Sequence, residues 1–200
     1  MSVKKYIIPH DFKITKEDRE KLNKHKAMLI WFTGISGSGK STLASMAEHV
    51  LNEKGIHTYI LDGDNVRSGL NSDLDFSNEG RVENIRRIAE VAHLFVDAGL
   101  VVMASFISPF KSERALAKDL VGKENFIEIF VDCEISTAED RDVKGLYKKA
   151  RAGIIPNFTG ISSPYEKPEN PDVIVNSSTE TKEESLQKIV DYLSESLTFN

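Results

Sequence analysis

The apolar run Ala27-Met28-Leu29-Ile30-Trp31-Phe32 passes through one threonine into Gly34-Ile35-Ser36-Gly37-Ser38-Gly39-Lys40-Ser41, and no other stretch restricts the fold as strongly. Three glycines let the backbone curl tightly, because a residue without Cβ adopts positive φ and allows close approach to a ligand, while successive N–H groups turn inward as donors. Leu43, Ala44, Met46, Ala47, Val50 and Leu51 follow with helical spacing, so the loop opens a helix whose positive end faces the same anion. Strand, glycine loop and helix in this order form a phosphate-binding loop. A Gly/Ser-rich surface turn is the plain alternative, and the flanking elements count against it. A nucleoside triphosphate is the expected ligand, with Lys40 on the β- and γ-phosphates and the Ser41 hydroxyl in the shell of a Mg²⁺ ion that keeps several waters.

Short apolar runs alternate with helical patterns to the C-terminus, which predicts an α/β fold of three layers, a five-stranded parallel sheet covered by helices on both faces. Strands are expected near 28–33, 57–61, 101–106, 126–131 and 172–175. Helices are expected near 39–54, 78–98, 111–121 and 182–197, with a short one after Ser136. Residues 1–26 read as an amphipathic N-terminal extension and residues 27–200 as one domain. Four prolines between Pro156 and Pro171 mark a loop across the sheet edge.

Of the 200 residues, 40% are apolar, enough for one sizeable core, and the formal net charge of −5 disfavours a polyanionic partner such as nucleic acid. A local basic pocket for a small anion remains compatible with that charge. The sole cysteine, Cys133, cannot form an internal disulfide, which suits a reducing compartment. No apolar run reaches the roughly 18 residues of a membrane span, and the first 26 residues are too acidic for a targeting peptide, so a cytoplasmic location is expected.

In open α/β sheets ligands bind beyond the carboxyl ends of the strands. Asp62-Gly63-Asp64-Asn65 follows the second strand, where two carboxylates would hold Mg²⁺ through water and accept a proton from an attacking hydroxyl. An Asp-Gly turn with Asp64 capping a short helix is the alternative. In the helix expected over 78–98, a 100° step puts Arg81 and Asn84 on the same stripe as Ile85, Ile88, Ala92 and Phe95, with Glu83, Arg86, Arg87 and Glu90 opposite. A guanidinium on the inward stripe needs an anion, from a ligand or from an internal carboxylate. After the third strand, Phe106 and, from an earlier loop, Phe76 are candidates to stack on a base, and Ser108 to donate a hydrogen bond or accept a phosphoryl group. The run from Arg141 to Arg151 carries five basic groups against one acidic. It suits a cationic lid hinged at Gly145 and Gly153, or else a solvated basic helix.

These blocks together, Trp31 to Ser41, Leu61 to Arg67, Glu83 to Val91, Phe106-Ile107-Ser108-Pro109, Arg141 to Gly153 and Phe158-Thr159-Gly160-Ile161, resemble the adenylylsulfate kinase family over about residues 20 to 195. The resemblance implies a P-loop NTPase fold with a mobile basic lid, and transfer of the ATP γ-phosphoryl to the 3′-hydroxyl of adenosine 5′-phosphosulfate. A P-loop kinase for another small hydroxyl acceptor, or a nucleotide-gated switch, is the rival reading; the guanine-selecting Asn-Lys-X-Asp element of the latter is missing from the sequence. The resemblance implies ATP on Gly34, Ile35, Ser36, Gly37, Ser38, Gly39, Lys40, Ser41 and Thr42 with Arg141 above it, and Mg²⁺ on Ser41 with Asp62 and Asp64 through water. It implies adenylylsulfate on Asp62, Asp64, Asn65, Arg67, Phe76, Arg81, Asn84, Ile107, Ser108, Lys144, Phe158 and Thr159, with adenine between the rings of Phe76 and Phe158. Ser108 matches a serine for which a phosphorylated intermediate has been considered, although direct in-line transfer needs no covalent stop. A homodimer working beside an ATP sulfurylase is the implied setting.

Overall fold

The computed structural model describes residues 8–198; residues 1–7 of the expected N-terminal extension, and residues 199 and 200, lie outside the described residues. Five strands, β1 (Leu29–Thr33), β2 (Thr58–Asp62), β3 (Val101–Ser105), β4 (Phe126–Asp132) and β5 (Val173–Asn176), pair in parallel in the order β2-β3-β1-β4-β5. All five expected strands are present, offset by a residue or so at their ends. Among the described residues eight α-helices connect or flank them: α1 (Lys16–Asn23), α2 (Lys40–Glu53), α3 (Gly63–Arg67), α4 (Asn78–Asp97), α5 (Lys111–Val121), α6 (Ile135–Arg141), α7 (Leu146–Arg151) and α8 (Lys182–Ser196).

The continuous apolar run of β1 follows from its central position. Strand side chains alternate between faces, and here both faces are covered, so every β1 residue is buried. Ile30 and Phe32 pack with Met103, Ile129, Leu43, Ala47 and Leu51 beneath α2 and α8. Leu29 and Trp31 pack with Val102, Ala104, Ile85, Ile88 and Ala92 beneath α4 and α5. Trp31, Phe32, Leu29 and Ile30 have no exposed surface, and at about 1.5–3 kcal/mol per large apolar side chain this strand anchors the loop that leaves it. β2, at the sheet edge, leaves Tyr59 half exposed.

Part of the expected extension is docked on the domain. In α1 a capping box joins Thr15 and Asp18, the Asn23 amide donates to the Gly99 carbonyl at 2.8 Å, and the buried Glu20 carboxylate accepts the Ala27 N–H at 2.7 Å. Gly99 is required at this contact: its φ is +90°, and an added Cβ would stand 2.8 Å from the Arg19 Cβ. Among the described residues no helix is long and apolar enough to cross a membrane.

The basic run from Arg141 to Arg151 is not the single solvated helix of the plain reading. It ends α6, turns at Gly145 (φ +65°) and forms α7, whose first amides are held by Asp142. Tyr147 and Ala150 on its underside join Ile35, Cys133, Ala138 and Phe158 in a third, smaller apolar cluster.

Candidate active site

The strand order puts the carboxyl ends of β1, β3 and β2 side by side, and the three following loops converge there. Phe32 is level with Ser105, which is level with Asp62. The glycine loop leaves β1 with Gly34, Gly37 and Gly39 at φ of +153°, +75° and +97°. Gly34 admits no side chain at all, since a Cβ would lie 2.4 Å from the Val131 carbonyl oxygen. Gly39 caps α2 with no side-chain bond, so the first amides of that helix are left to an external acceptor. Ser38 Oγ is buried without a hydrogen-bond partner, a second orphaned group within the same loop.

The Lys40 ammonium is folded under this loop, donating to the Ile35 carbonyl at 2.7 Å. Burial pushes its pKa down to about 8, with the Asp62 carboxylate acting in the opposite sense. A buried cation with one carbonyl partner is strongly under-compensated, and a polyphosphate supplies what it lacks. Ser36, Ile35 and Ser38 complete the loop; Thr42, next on α2, is exposed.

Asp62 stands where the two halves of the site meet. Its Oδ2 accepts from the Ser41 hydroxyl at 2.6 Å, and its Oδ1 accepts the Asp64 N–H at 3.0 Å. It is therefore Asp62, the last residue of β2, that caps α3, and not Asp64 as in the alternative reading of an Asp-Gly turn. Asp64 pairs instead with the Lys144 ammonium from the turn before α7. Asn65 is exposed on α3, where its carbonyl accepts from Ser68. No group of three or more His, Cys, Asp or Glu side chains suited to a metal occurs among the described residues. The Ser41 and Asp62 oxygens fit a hard cation that takes its remaining ligands from phosphate and water.

From the end of α3 onward the charges change sign. Arg67 donates to the carbonyls of Leu74 and Asp75, both at 3.2 Å, and its guanidinium lies 4.5 Å from the centre of the Phe76 ring. Burial and then the neighbouring Arg81 hold the Arg67 pKa below its usual value. Arg81, also partly desolvated, has its pKa lowered by burial, with the Glu113 carboxylate acting in the opposite sense. Two such guanidiniums near one another favour a small anion between them. The opposite face of α4 behaves as its spacing predicts: Arg87 reaches Glu83 at 2.9 Å and Arg86 reaches Glu90 at 3.6 Å. Arg87 also forks onto Asp73, fastening the loop that carries Phe76.

The tertiary structure gives these expected residues surroundings that spacing did not show. Asn84 is buried, and its carbonyl oxygen accepts from the Asn71 amide at 3.0 Å, a partner that spacing did not reveal. Phe106 is no base-stacking platform; it is 5% exposed and stacks on Trp31 at 5.8 Å. Ser108 is enclosed. Its hydroxyl, 2% exposed, accepts from Trp31 Nε1 at 2.9 Å and donates to Thr33 Oγ1 at 3.0 Å, which ties up the proton a phosphoryl acceptor would release. Phe76 and Phe158 occupy unlike settings: Phe76 is two-thirds exposed, whereas Phe158 is buried edge-on to Tyr147 at 4.9 Å. Thr159 beside Phe158 is buried as well, and Ile107 offers its carbonyl to Thr33 Oγ1 at 2.8 Å.

Arg114 was not singled out by its sequence context, because its partners are far along the chain. Its buried guanidinium binds the Glu128 carboxylate at 2.7 Å and the carbonyls of Ser108 and Glu166 at 2.7 and 2.8 Å. It ties the loop after β3 to the segment that follows Phe158. Arg141, over the glycine loop, donates to the Gly37 carbonyl at 3.5 Å and to the Ser177 hydroxyl at 3.3 Å.

The family model for adenylylsulphate kinase matches residues 26–176. A probable adenylyl-sulfate kinase of Halalkalibacterium halodurans is 54% identical over 188 residues, covering 94% of this chain and 93% of that protein. An adenylyl-sulfate kinase of Clostridium acetobutylicum is 54% identical over 187 residues, with coverage of 94% and 93%. Among solved structures, the Mycobacterium tuberculosis APS kinase in complex with AMPPNP and APS superposes with a TM-score of 0.81 at 47% identity, covering 84% of this chain and 98% of that one.

Proposed function

The chain belongs to the adenylylsulphate kinase family, and from that premise we propose how its residues divide the work of the reaction. The enzyme transfers the γ-phosphoryl of ATP to the 3′-hydroxyl of adenosine 5′-phosphosulfate, giving 3′-phosphoadenosine 5′-phosphosulfate and ADP. Gly34 to Thr42 receive the triphosphate, with Lys40 leaving the Ile35 carbonyl for the β- and γ-oxygens and Arg141 closing over the nucleotide. Arg67, Arg81 and the Asn84 amide receive the phosphosulfate. Phe76 and Phe158, with Ile107 and Thr159, wall the adenosine, and Lys144 and Asn65 border the entrance.

The observation that carries this division is the 2.6 Å contact between Ser41 and Asp62, which joins the triphosphate loop to the strand end from which α3 leads to Arg67. Asp62 is thereby set between donor and acceptor, to orient the 3′-hydroxyl and take its proton. Mg²⁺, when bound by Ser41 and through water by Asp62 and Asp64, neutralises charge on the phosphate oxygens. Direct in-line transfer fits the enclosed Ser108 hydroxyl, whose part is to hold the loop that presents Ile107. The Arg141 to Arg151 segment acts as the lid, swinging at Gly145 and Gly153 to exclude water. The test is ATP-dependent formation of a 3′-phosphorylated product from adenylylsulfate, with adenosine monophosphate as control acceptor. Equal turnover of the two acceptors would sink the assignment of Arg67 and Arg81. Arg81→Ala is expected to raise the KM for adenylylsulfate by about 10-fold to 100-fold, the loss of a charged hydrogen-bonding pair, and to leave the KM for ATP within about twofold.

Lys40 makes nucleotide binding depend on pH. In the empty protein it loses its proton near pH 8, and a bound triphosphate raises that pKa, so binding above pH 8 requires proton uptake. The affinity for ADP is expected to be level from pH 6.5 to 7.5 and to fall by up to about tenfold per pH unit above 8. Calorimetry across that range measures it; a level profile to pH 9.5 would mean that Lys40 does not meet the phosphates.

The setting is a proposal of the same kind. The enzyme works in the cytoplasm as a homodimer, downstream of an ATP sulfurylase that adenylylates sulfate. Residues 27–200 form the catalytic domain and residues 1–26 an extension, of which α1 leans on it.

A further inference from the structure

We infer that Tyr147 is a positioning residue that couples the nucleotide site to the acceptor site, an inference that rests on the division of substrates proposed above. Tyr147 opens the second half of the basic segment but is itself 2% exposed. Its backbone N–H is fixed by Asp142 Oδ1 at 3.0 Å. Its hydroxyl donates to the Ser36 carbonyl in the middle of the glycine loop at 2.7 Å. Its ring meets Phe158 edge to face, with centroids 4.9 Å apart and planes at 74°. One rigid side chain therefore touches the loop that receives the triphosphate and the aromatic wall of the acceptor pocket.

The bond to Ser36 does more than attach a helix. In a trans peptide the N–H points opposite to the C=O, so holding the Ser36 carbonyl from outside sets the direction of the Gly37 N–H. Gly37, at φ +75°, has the freedom to turn that peptide over when nothing holds it. Burial raises the Tyr147 pKa, which keeps the hydroxyl a neutral donor throughout the working range. At the other end of the side chain, Phe158 leads into Thr159 and Gly160, and Gly160 lies over the Ile35 and Ile135 side chains, so a Cβ there would come within 3.7 Å of each. A nucleotide that orders Ser36 thus seats Tyr147, and a seated Tyr147 gives Phe158 a fixed surface to pack on. The converse must hold, because coupling between two binding sites is reciprocal.

Tyr147→Phe separates the two contacts, keeping the ring on Phe158 and removing only the bond to Ser36. The experiment measures, by calorimetry, the dissociation constant of adenylylsulfate with and without saturating ADP, in the wild type and in the variant. In the wild type ADP is expected to tighten adenylylsulfate about fivefold or more, within the usual range of such couplings. In Tyr147→Phe the ratio is expected to fall to about twofold or less, as befits one hydrogen bond, while each ligand alone binds within about threefold of wild type. A purely structural role would weaken both ligands alike and leave the ratio standing, and that result would overturn the inference. So would a wild type in which ADP leaves adenylylsulfate unaffected. Failure of the wild type to bind adenylylsulfate at all would overturn the substrate assignment itself, an outcome distinguishable from an unchanged ratio.

Discussion

Lys40→Met is expected to lower turnover by roughly 10²–10³ and, at the same time, to make the empty protein more stable near neutral pH. The loss of rate follows from removing the cation that answers charge on the transferring phosphoryl group. Methionine keeps the methylenes that pack under the loop, so the change is one of charge rather than shape. The gain in stability follows from the cost of burying that cation where only the Ile35 carbonyl answers it. Its folded pKa of about 8 lies below the unfolded value of 10.5, so below pH 8 both states carry the proton and the full penalty, about 3 kcal/mol, is present. Between pH 8 and 10.5 the unfolded chain binds more protons than the folded one, and wild-type stability rises with pH. The advantage of Lys40→Met should therefore be largest at pH 7 and shrink towards pH 10. Urea unfolding at both pH values, beside a coupled assay at pH 7, tests the pair of effects. A variant that is less stable at pH 7 would mean that the ammonium is better compensated than its surroundings indicate.

Asp62→Asn is the second large effect. The amide keeps the side-chain oxygen that caps α3 through the Asp64 N–H and keeps a group beside Ser41, but it is no base and carries no charge. Turnover is expected to fall by about 10²–10⁴, the usual contribution of a positioned general base, with binding of adenylylsulfate nearly unchanged. Removing the carboxylate also removes the largest influence that raises the Lys40 pKa. The pH at which ADP affinity begins to fall should accordingly move below 8 in this variant. Unaltered turnover would exclude Asp62 from the chemistry, and a fall in adenylylsulfate affinity as large as the fall in rate would make it a binding group only.

Much of the architecture was legible from local pattern. The strands could be read because β1 and β3 are covered on both faces and buried throughout, and β4 is buried at five of its seven positions, and the glycine loop because its conformation depends on residues adjacent in the chain. The inward stripe of α4 was legible for the same reason: Ile85, Ile88 and Ala92 recur at the helical period and are buried. α1 was not, since KEDREKLN has no apolar face and the helix is held by polar ties to Asp97, Gly99 and Asn125. The Thr15 to Asp18 spacing of a capping box was the available signal. α7 escaped because six residues carrying three basic groups read as surface until Tyr147 and Ala150 are seen packed beneath.

The site divides along the same line. Sequence alone determined that a phosphate loop precedes a helix, that Asp62 and Asp64 stand at a strand end, and that Arg81 lies on an inward stripe, because each depends on neighbours within a turn or two. Only the tertiary structure decided which groups compensate one another: that Ser41 meets Asp62 across 21 residues, Asn71 holds Asn84, Trp31 and Thr33 enclose Ser108, and Tyr147 reaches Ser36 across 111. A hydrogen bond forms where two groups arrive within about 3 Å in the right direction, and chain order carries no information about that meeting until the sheet has brought the strand ends together.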